Sequence, residues 1–457
     1  MKHSSWREEC GVFGIWNHDQ SSELAHLGLF SMQHRGQESA GIVSSNGHDL
    51  YVHKNLGLVS EVFDRFDWKT LPGFAAIGHV RYSTTGQNLL VNAQPLKADV
   101  RGQPLAVAHN GNLVNSKSLR ENLQKQGSLF QGTTDTEIFL HLLSKIGGAA
   151  WSQGLTQSLD WVSGAYSMVW LGLDQMVAVR DPLGFRPLVL GQIGDACYVV
   201  ASETCALDLV GARYVRDVEP GEMLVFNKSG LQSHFFKKEL AKKAQCVFEL
   251  IYFSRSDSQV FGHSVYESRK KFGEQLSLES GVEADMVIPV PDSGVASAIG
   301  YARHSGLPFE WGITKNSYVG RTFIQPVQGV RDQGVRIKLN PQMNLLKNKR
   351  VVVIDDSLVR GTTSKKIIQL LKEAGAKEVH LRIASPATIS PCYFGVDTPD
   401  KSQLVASHMS TSEICKMVGA ETLAYLTIEG MFKALGERPE NFCAACFNEK
   451  YPLRVKD

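Results

Sequence analysis

Long hydrophobic runs are missing from this chain of 457 residues, and the longest apolar stretches, such as "AYSMVWLGL" at 165–173, are far too short to span a bilayer. The opening "MKHSSWREE" has no apolar core of a secretory signal, so the expected location is cytoplasmic. An excess of one charge is missing too. Lys and Arg total 48 against 46 Asp and Glu, with no basic tract, which argues against nucleic acid or an anionic membrane as principal partner. Cysteine is sparse: eight residues in so long a chain do not make a disulfide scaffold. In a reducing compartment the cysteines that matter are expected to be catalytic or metal-bound. There is no internal repeat and no low-complexity tract. What remains is small-molecule chemistry in two or three domains, each large enough for its own core.

The chain changes rhythm near its middle. Up to about residue 230 the segments "CGVFGIW", "AGIVSS", "FAAIGHVRYST", "LAVAHNGNL", "AYSMVWLGL", "MVAVRD", "CYVVASE" and "GEMLVF" read as short strands, and helical periodicity is confined to stretches such as 117–123 and 136–146. This pattern predicts a layered α+β domain of stacked antiparallel sheets flanked by helices over 10–235. The polar segment 227–245 loosens the composition and marks a boundary. Over 246–430, apolar strands "DMVIPV", "VVVIDD" and "EVHLRIAS" alternate with helices such as 364–374, the signature of a parallel α/β sheet. Residues 431–457 read as an irregular, cysteine-containing tail.

"VVVIDDSLVRGTTS" at 351–364 is the most informative stretch. Its β-branched run predicts a strand buried on both faces, delivering Asp355 and Asp356 at the carboxyl end where open α/β sheets bind ligands. The following backbone N–H groups and Thr hydroxyls suit an anion at a helix N-terminus, with Gly361 permitting the tight turn. Two carboxylates beside a phosphate cradle must face something else: ribose hydroxyls, a divalent cation, or both. The stretch resembles the phosphoribosyl pyrophosphate loop of type I phosphoribosyltransferases. That resemblance implies ribose binding by Asp355 and Asp356, and 5-phosphate binding by Ser357, Arg360, Gly361, Thr362 and Thr363. "VIPVPDSG" at 287–294 is similar to the pyrophosphate loop of the same family, which implies roles for Asp292 and Ser293 and a Mg2+ ion near Ser293, Asp355 and Asp356. "YVGRTFIQPVQGVRDQGVRIKLN" at 318–340 suits a lid over pyrophosphate, with Arg321 and Lys338 neutralising the leaving group.

The first half holds "CGVFGIW", "QHRGQESAG", "GHVRYST", "HNGNL" and "TTDTE" in an order and spacing that resemble the glutamine domain of N-terminal-nucleophile amidotransferases. The resemblance implies a four-layer αββα fold, removal of a leader at 1–9, and Cys10 as a nucleophile whose own α-amine is the base. That amine, with a pKa of about 7.7 to 8.0, can take the proton of a thiol near 8.5 without a histidine. It further implies that Arg81 pairs with the substrate carboxylate, that Asp135 holds its ammonium, and that Asn110 and Gly111 form an oxyanion hole. Each has a bland reading: Arg81 as a solvated strand residue, "NGN" as a hairpin turn, Asp135 as a helix N-cap. Gly11 and Gly14 signal close approach of the first strand to something else. "RDPLGFRPL" at 180–188 reads as a turn without chemistry.

Cys443 and Cys446 form a C-x-x-C turn able to give two thiolates to one metal, and four-cysteine spacing alone does not separate iron–sulfur from zinc. The family resemblance implies that Cys246 and Cys392 complete a 4Fe-4S site. Cys197, Cys205 and Cys415 read as structural thiols. Together the resemblances imply an enzyme that hydrolyses glutamine and passes ammonia through a closed passage to phosphoribosyl pyrophosphate, giving 5-phosphoribosylamine for purine synthesis. They also imply a homo-oligomer, often a tetramer, inhibited by purine nucleotides. The rival readings are a glucosamine-6-phosphate synthase, which shares the first half but whose sugar-isomerase domains would not carry "VVVIDDSLVRGTTS", a phosphoribosyltransferase using free ammonia with its leader retained, and a non-catalytic phosphoribosyl pyrophosphate sensor.

Overall fold

The computed structural model describes residues 10–82, 89–146, 151–237, 242–316, 339–398 and 400–455; the expected leader, Arg321, Lys338 and nearly all of the expected lid lie outside the described residues. In the first half two antiparallel sheets stack face to face. The seven-stranded sheet runs in spatial order Arg213–Asp217, Val189–Ile193, Cys197–Ala201, Gly11–Trp16, Ala75–Arg81, Ser39–Ser45, Leu50–Leu56. The six-stranded sheet runs Gly230–Phe235, Glu222–Asn227, Gln175–Arg180, Gly164–Leu171, Gln103–Leu113, Leu96–Val100. Val12, Trp16, Val43 and Ile77 meet Ala106, Ala108, Val169 and Met176 between them. Helix Ser21–Ser31 covers the outer face of the first sheet, and helices Ser116–Lys125, Thr136–Lys145 and Trp151–Ser158 cover that of the second. The result is the four-layer αββα arrangement. Gly14 explains itself: a Cβ there would lie 2.7 Å from Val169 of the facing sheet.

The second half is built on a parallel four-stranded sheet, in order Met286–Pro289, Arg350–Asp355, Glu378–Ile383, Thr422–Tyr425. Val351 to Ile354 are fully buried. Val352 and Ile354 pack under helices Val265–Ser280 and Val295–Ser305, while Val351 and Val353 pack under Thr362–Glu373 and Thr411–Val418. That two-sided burial is what an unbroken β-branched run demands.

Three features depart from the sequence reading. Helix Ser21–Ser31 buries Ser21, Ser22, Ala25, Gly28, Leu29 and Ser31, so mostly small residues, with Leu29 as the one large apolar side chain among them, carry its periodicity. Strand Gly230–Phe235 lies inside the segment read as a loosening boundary, as an exposed edge paired with Glu222–Asn227. The tail is not irregular throughout. Helix Ile428–Leu435 is capped by Thr427 and ends at left-handed Gly436, and Phe442–Cys443 pairs in parallel with Gln245–Cys246.

Candidate active sites

Five expected glutamine-site residues gather at one end of the sandwich. Cys10 leads into strand Gly11–Trp16 and is 7% exposed; its Sγ donates to the carbonyl of Tyr82 at 3.4 Å, next to Arg81. Arg81 is buried, not a solvated strand residue. Asn110 and Gly111 lie within strand Gln103–Leu113, paired with Ser167 and Tyr166, so "NGN" is not a hairpin turn. Gly111 takes φ +149°, and a Cβ there would come 2.0 Å from the carbonyl oxygen of Ala165. Both polar side-chain atoms of Asn110 are buried without a hydrogen-bond partner among the described residues. An orphaned amide of this kind calls for an explanation, and for the Nδ2 donor, though not for the Oδ1 acceptor, a transient oxyanion is one. Asp135 occupies the N-cap position of helix Thr136–Lys145 without capping it. Its Oδ2 instead accepts the Leu113 N–H at 2.9 Å, facing the strand that carries Asn110. His79 Nε2 donates to the His109 carbonyl at 3.0 Å, which ties the Arg81 strand to the Asn110 strand.

A second site opens at the carboxyl ends of the parallel strands. Ser293, Asp355, Asp356, Ser357, Gly361, Thr363 and Ser364 line one cavity of about 150 Å³, together with Tyr252. Gly361 is left-handed at φ +71° and starts helix Thr362–Glu373 with no side-chain cap, so the first-turn N–H groups lie at the cavity wall. Burial holds the Asp355 carboxyl well above the usual carboxylate range, and the adjacent Asp356 charge adds to it. Burial raises Asp356 as well, opposed by hydrogen bonds from the Ser293 and Ser357 hydroxyls. Arg360 and Thr362 flank this cavity without lining it. Asp292 stands apart: it is exposed and pairs with Lys315.

None of the eight cysteines is in a disulfide. Cys246, Cys392, Cys443 and Cys446 line a single apolar cavity of about 20 Å³ with Phe248, Phe394, Val396 and Tyr451. Cys246 and Cys443 stand side by side in the short parallel pairing. Burial pushes the Cys443 thiol up to about 12 and raises Cys446 well above its ordinary value. The donor set suits a tetrathiolate centre, yet among the described residues no three His, Cys, Asp or Glu side chains are drawn into a ready metal-binding group.

Sequence reading missed a buried charge cluster between the sites. The Arg35 guanidinium donates to Glu203 at 2.6 Å and to both Glu249 oxygens at 2.7 and 2.9 Å, while its Nε holds the Cys10 carbonyl at 3.0 Å. Arg186, in the segment read as a turn without chemistry, reaches Glu249 at 3.3 Å and grips the Phe394 carbonyl at 2.7 and 3.0 Å. Burial disfavours the Glu203 charge, but His34 and Arg35 hold it well below the usual range. The one available signal was a lone acid in the apolar run "VFELIYF", since a buried charge needs partners.

Residues 79–209 match the glutamine amidotransferase domain family and 265–387 the phosphoribosyl transferase domain family. The chain is 52% identical over 452 residues to the chloroplastic amidophosphoribosyltransferase of Glycine max, covering 99% of this chain and 79% of that one. It is 48% identical over 454 residues to the amidophosphoribosyltransferase of Bacillus subtilis, covering 98% and 95%. The chain belongs to the amidophosphoribosyltransferase family. A solved structure of the B. subtilis glutamine phosphoribosylpyrophosphate amidotransferase, complexed with ADP and GMP, superposes with a TM-score of 0.93 at 47% identity, covering 98% of each chain. The fold is thus the family's pairing of an N-terminal-nucleophile domain with a type I phosphoribosyltransferase domain. No described helix is long and apolar enough to cross a membrane.

Proposed function

We propose that this chain is an amidophosphoribosyltransferase, taking nitrogen from glutamine to make 5-phosphoribosylamine from phosphoribosyl pyrophosphate, with glutamate and pyrophosphate as the other products, as the first step of purine synthesis. One observation carries the reading: a single chain presents the Cys10 end of an N-terminal-nucleophile sandwich and, in its other half, a carboxylate-and-helix-terminus cavity for a phosphorylated ribose. In this reading the leader is cleaved, and the freed α-amine of Cys10 takes the thiol proton. The thiolate forms a bond to the side-chain amide carbon of glutamine while Arg81 and Asp135 hold its carboxylate and ammonium. Asn110 and the Gly111 N–H stabilise the tetrahedral oxyanion. The amide nitrogen leaves as ammonia after protonation, and water hydrolyses the remaining thioester to glutamate. At the second site Asp355 and Asp356 hold the ribose hydroxyls, and the 357–363 loop with the helix terminus holds the 5-phosphate. Ammonia then bonds to the anomeric carbon as pyrophosphate departs beside the Asp292–Ser293 turn, with Arg321 and Lys338 as countercharges.

Mg2+ would sit against Ser293, Asp355 and Asp356 and supply charge neutralisation for the diphosphate. A 4Fe-4S cluster on Cys246, Cys392, Cys443 and Cys446 would supply a cross-link between tail and core. The domain limits 10–235 and 246–430, with the tail at 431–457, follow from the same reading. So do a homotetramer, purine nucleotide inhibitors and a cytoplasmic location; the B. subtilis relative complexed with ADP and GMP supports the inhibitors.

Rates with glutamine and with ammonia test the division of labour. Cys10→Ala is expected to abolish the glutamine-dependent rate and spare the ammonia-dependent one, while Asp355→Asn with Asp356→Asn cripples both. Equal loss of both rates in Cys10→Ala refutes the reading. Denaturing intact mass reports whether residues 1–9 have left Cys10, and native mass reports the cluster.

A further inference from the structure

Gln94 occupies a place that the amidotransferase chemistry above does not use. Its side chain is 3% exposed, and its amide spans two segments of the glutamine site. Oε1 accepts the His109 N–H at 2.8 Å, and Nε2 donates to the Thr136 hydroxyl at 3.1 Å. His109 immediately precedes the Asn110–Gly111 pair, and Thr136 immediately follows Asp135. The remaining protons fall into one order. His109 Nε2 faces the Ala165 carbonyl at 3.3 Å, and a carbonyl only accepts, so Nε2 carries the hydrogen. His109 Nδ1, 3.1 Å from the Thr136 hydroxyl, then accepts from it, which leaves that oxygen's two lone pairs for the Gln94 amide and the Thr134 hydroxyl at 3.2 Å. Burial lowers the His109 pKa and keeps this neutral tautomer in place. Ala165 is also the residue whose carbonyl sets the tight contact at Gly111.

The backbone of Gln94 is itself fixed from two sides. Lys54 Nζ donates to the carbonyls of the residues before and after it, Ala93 and Pro95. A Cβ on Gly41 would lie 2.5 Å from the Gln94 carbonyl oxygen, so the strand Ser39–Ser45 presses directly on it. Two residues upstream, Asn92 clamps Thr133 by exchanging two bonds of 2.8 Å with its N–H and hydroxyl.

We propose that Gln94 is a positioning residue for glutamine: through His109 and Thr136 it sets the distance between the oxyanion donors Asn110 and Gly111 and the ammonium-binding carboxylate Asp135. An amide substrate carrying an α-ammonium must satisfy both ends at once, so this separation fixes the length of side chain that reacts. The inference rests on the amidotransferase reading of the site and adds to it a residue that touches no substrate atom.

The test uses the full chain with its leader processed. Gln94→Leu removes both bonds at similar bulk, and Thr136→Val removes the hydroxyl alone; each is assayed with glutamine and with ammonium chloride as nitrogen source. The kcat/KM for glutamine is expected to fall about 100-fold in each, the scale of a misplaced reacting group. The ammonia-dependent rate stays at the level of the unsubstituted enzyme and certifies the fold. Thr136→Ser, which keeps the hydroxyl, restores glutamine use. Unchanged glutamine kinetics, a parallel fall with both nitrogen sources, or Thr136→Ser behaving as Thr136→Val each overturns the inference. An unsubstituted enzyme that uses ammonia and never glutamine refutes the amidotransferase reading instead, so the two failures are distinct.

Discussion

Burial pushes the His79 imidazole down to about 3, against 6.5 in an unfolded chain. The unfolded chain therefore takes up a proton below pH 6.5 that the folded chain refuses until about pH 3. The stability this group contributes is complete above 6.5 and is lost as the pH falls toward 3. His79→Gln retains a donor for the His109 carbonyl and removes the titration. Its stability is expected to drop less between about pH 7 and about pH 5 than that of the unsubstituted protein, measured by urea unfolding at each pH; an equal drop overturns the assignment. Residues of this kind were only partly legible. Cys10, Asp355 and Asp356 could be proposed as site residues from sequence because the chemistry they would carry is written in a few neighbouring letters. Gln94 and the Arg35–Glu249 pair could not, because the pair's members stand 214 residues apart and only the fold brings them together.

At the scale of the element, legibility followed side-chain size. The strand Arg350–Asp355 was plain because large β-branched residues face both ways, whereas helix Ser21–Ser31 was hidden because its buried face is mostly Ser, Ala and Gly, with Leu29 the one large apolar residue. Gly28 shows why that face must be small: a Cβ there would lie 2.3 Å from the Phe13 ring. Two effects oppose each other in Gly28→Ala. Helix propensity favours alanine by about 1 kcal/mol, and forcing a methyl into a packed ring contact costs about 1–3 kcal/mol. The rigid ring decides the sign, so the variant is expected to unfold at lower urea than the parent. A higher midpoint would mean that the helix shifts away at little cost. Strand Gly230–Phe235 was missed for a different reason, since an exposed edge carries no alternation of apolar and polar faces to read.

At the scale of the whole molecule, the two halves announced themselves through their motifs, but the contacts that join them did not. Glu249 is fully buried between Arg35 of the first half and Arg186, and Ser254 adds a bond of 2.7 Å. Glu249→Gln keeps the shape and removes the one carboxylate that faces both guanidinium groups, leaving Glu203 opposite Arg35 and the Arg186 charge uncompensated by Glu249, a loss of about 3–5 kcal/mol. It should lower the urea midpoint of the full chain correspondingly; a change under about 1 kcal/mol would show the cluster to be solvated. Nearby, the segment bearing Cys392 lies against the nucleophile domain. Asn112 donates to the Tyr393 carbonyl at 2.9 Å, and a Cβ on Gly395 would sit 3.1 Å from the backbone of Gly111. A stretch that belongs by order of sequence to the sugar-binding half therefore forms part of the wall behind the glutamine-cleaving one. Neither half is a transplantable cassette: a chimera that borrows the nucleophile domain from one relative has to import residues 392–396 from the same parent, or the strand carrying Asn110 and Gly111 will rest on a foreign surface.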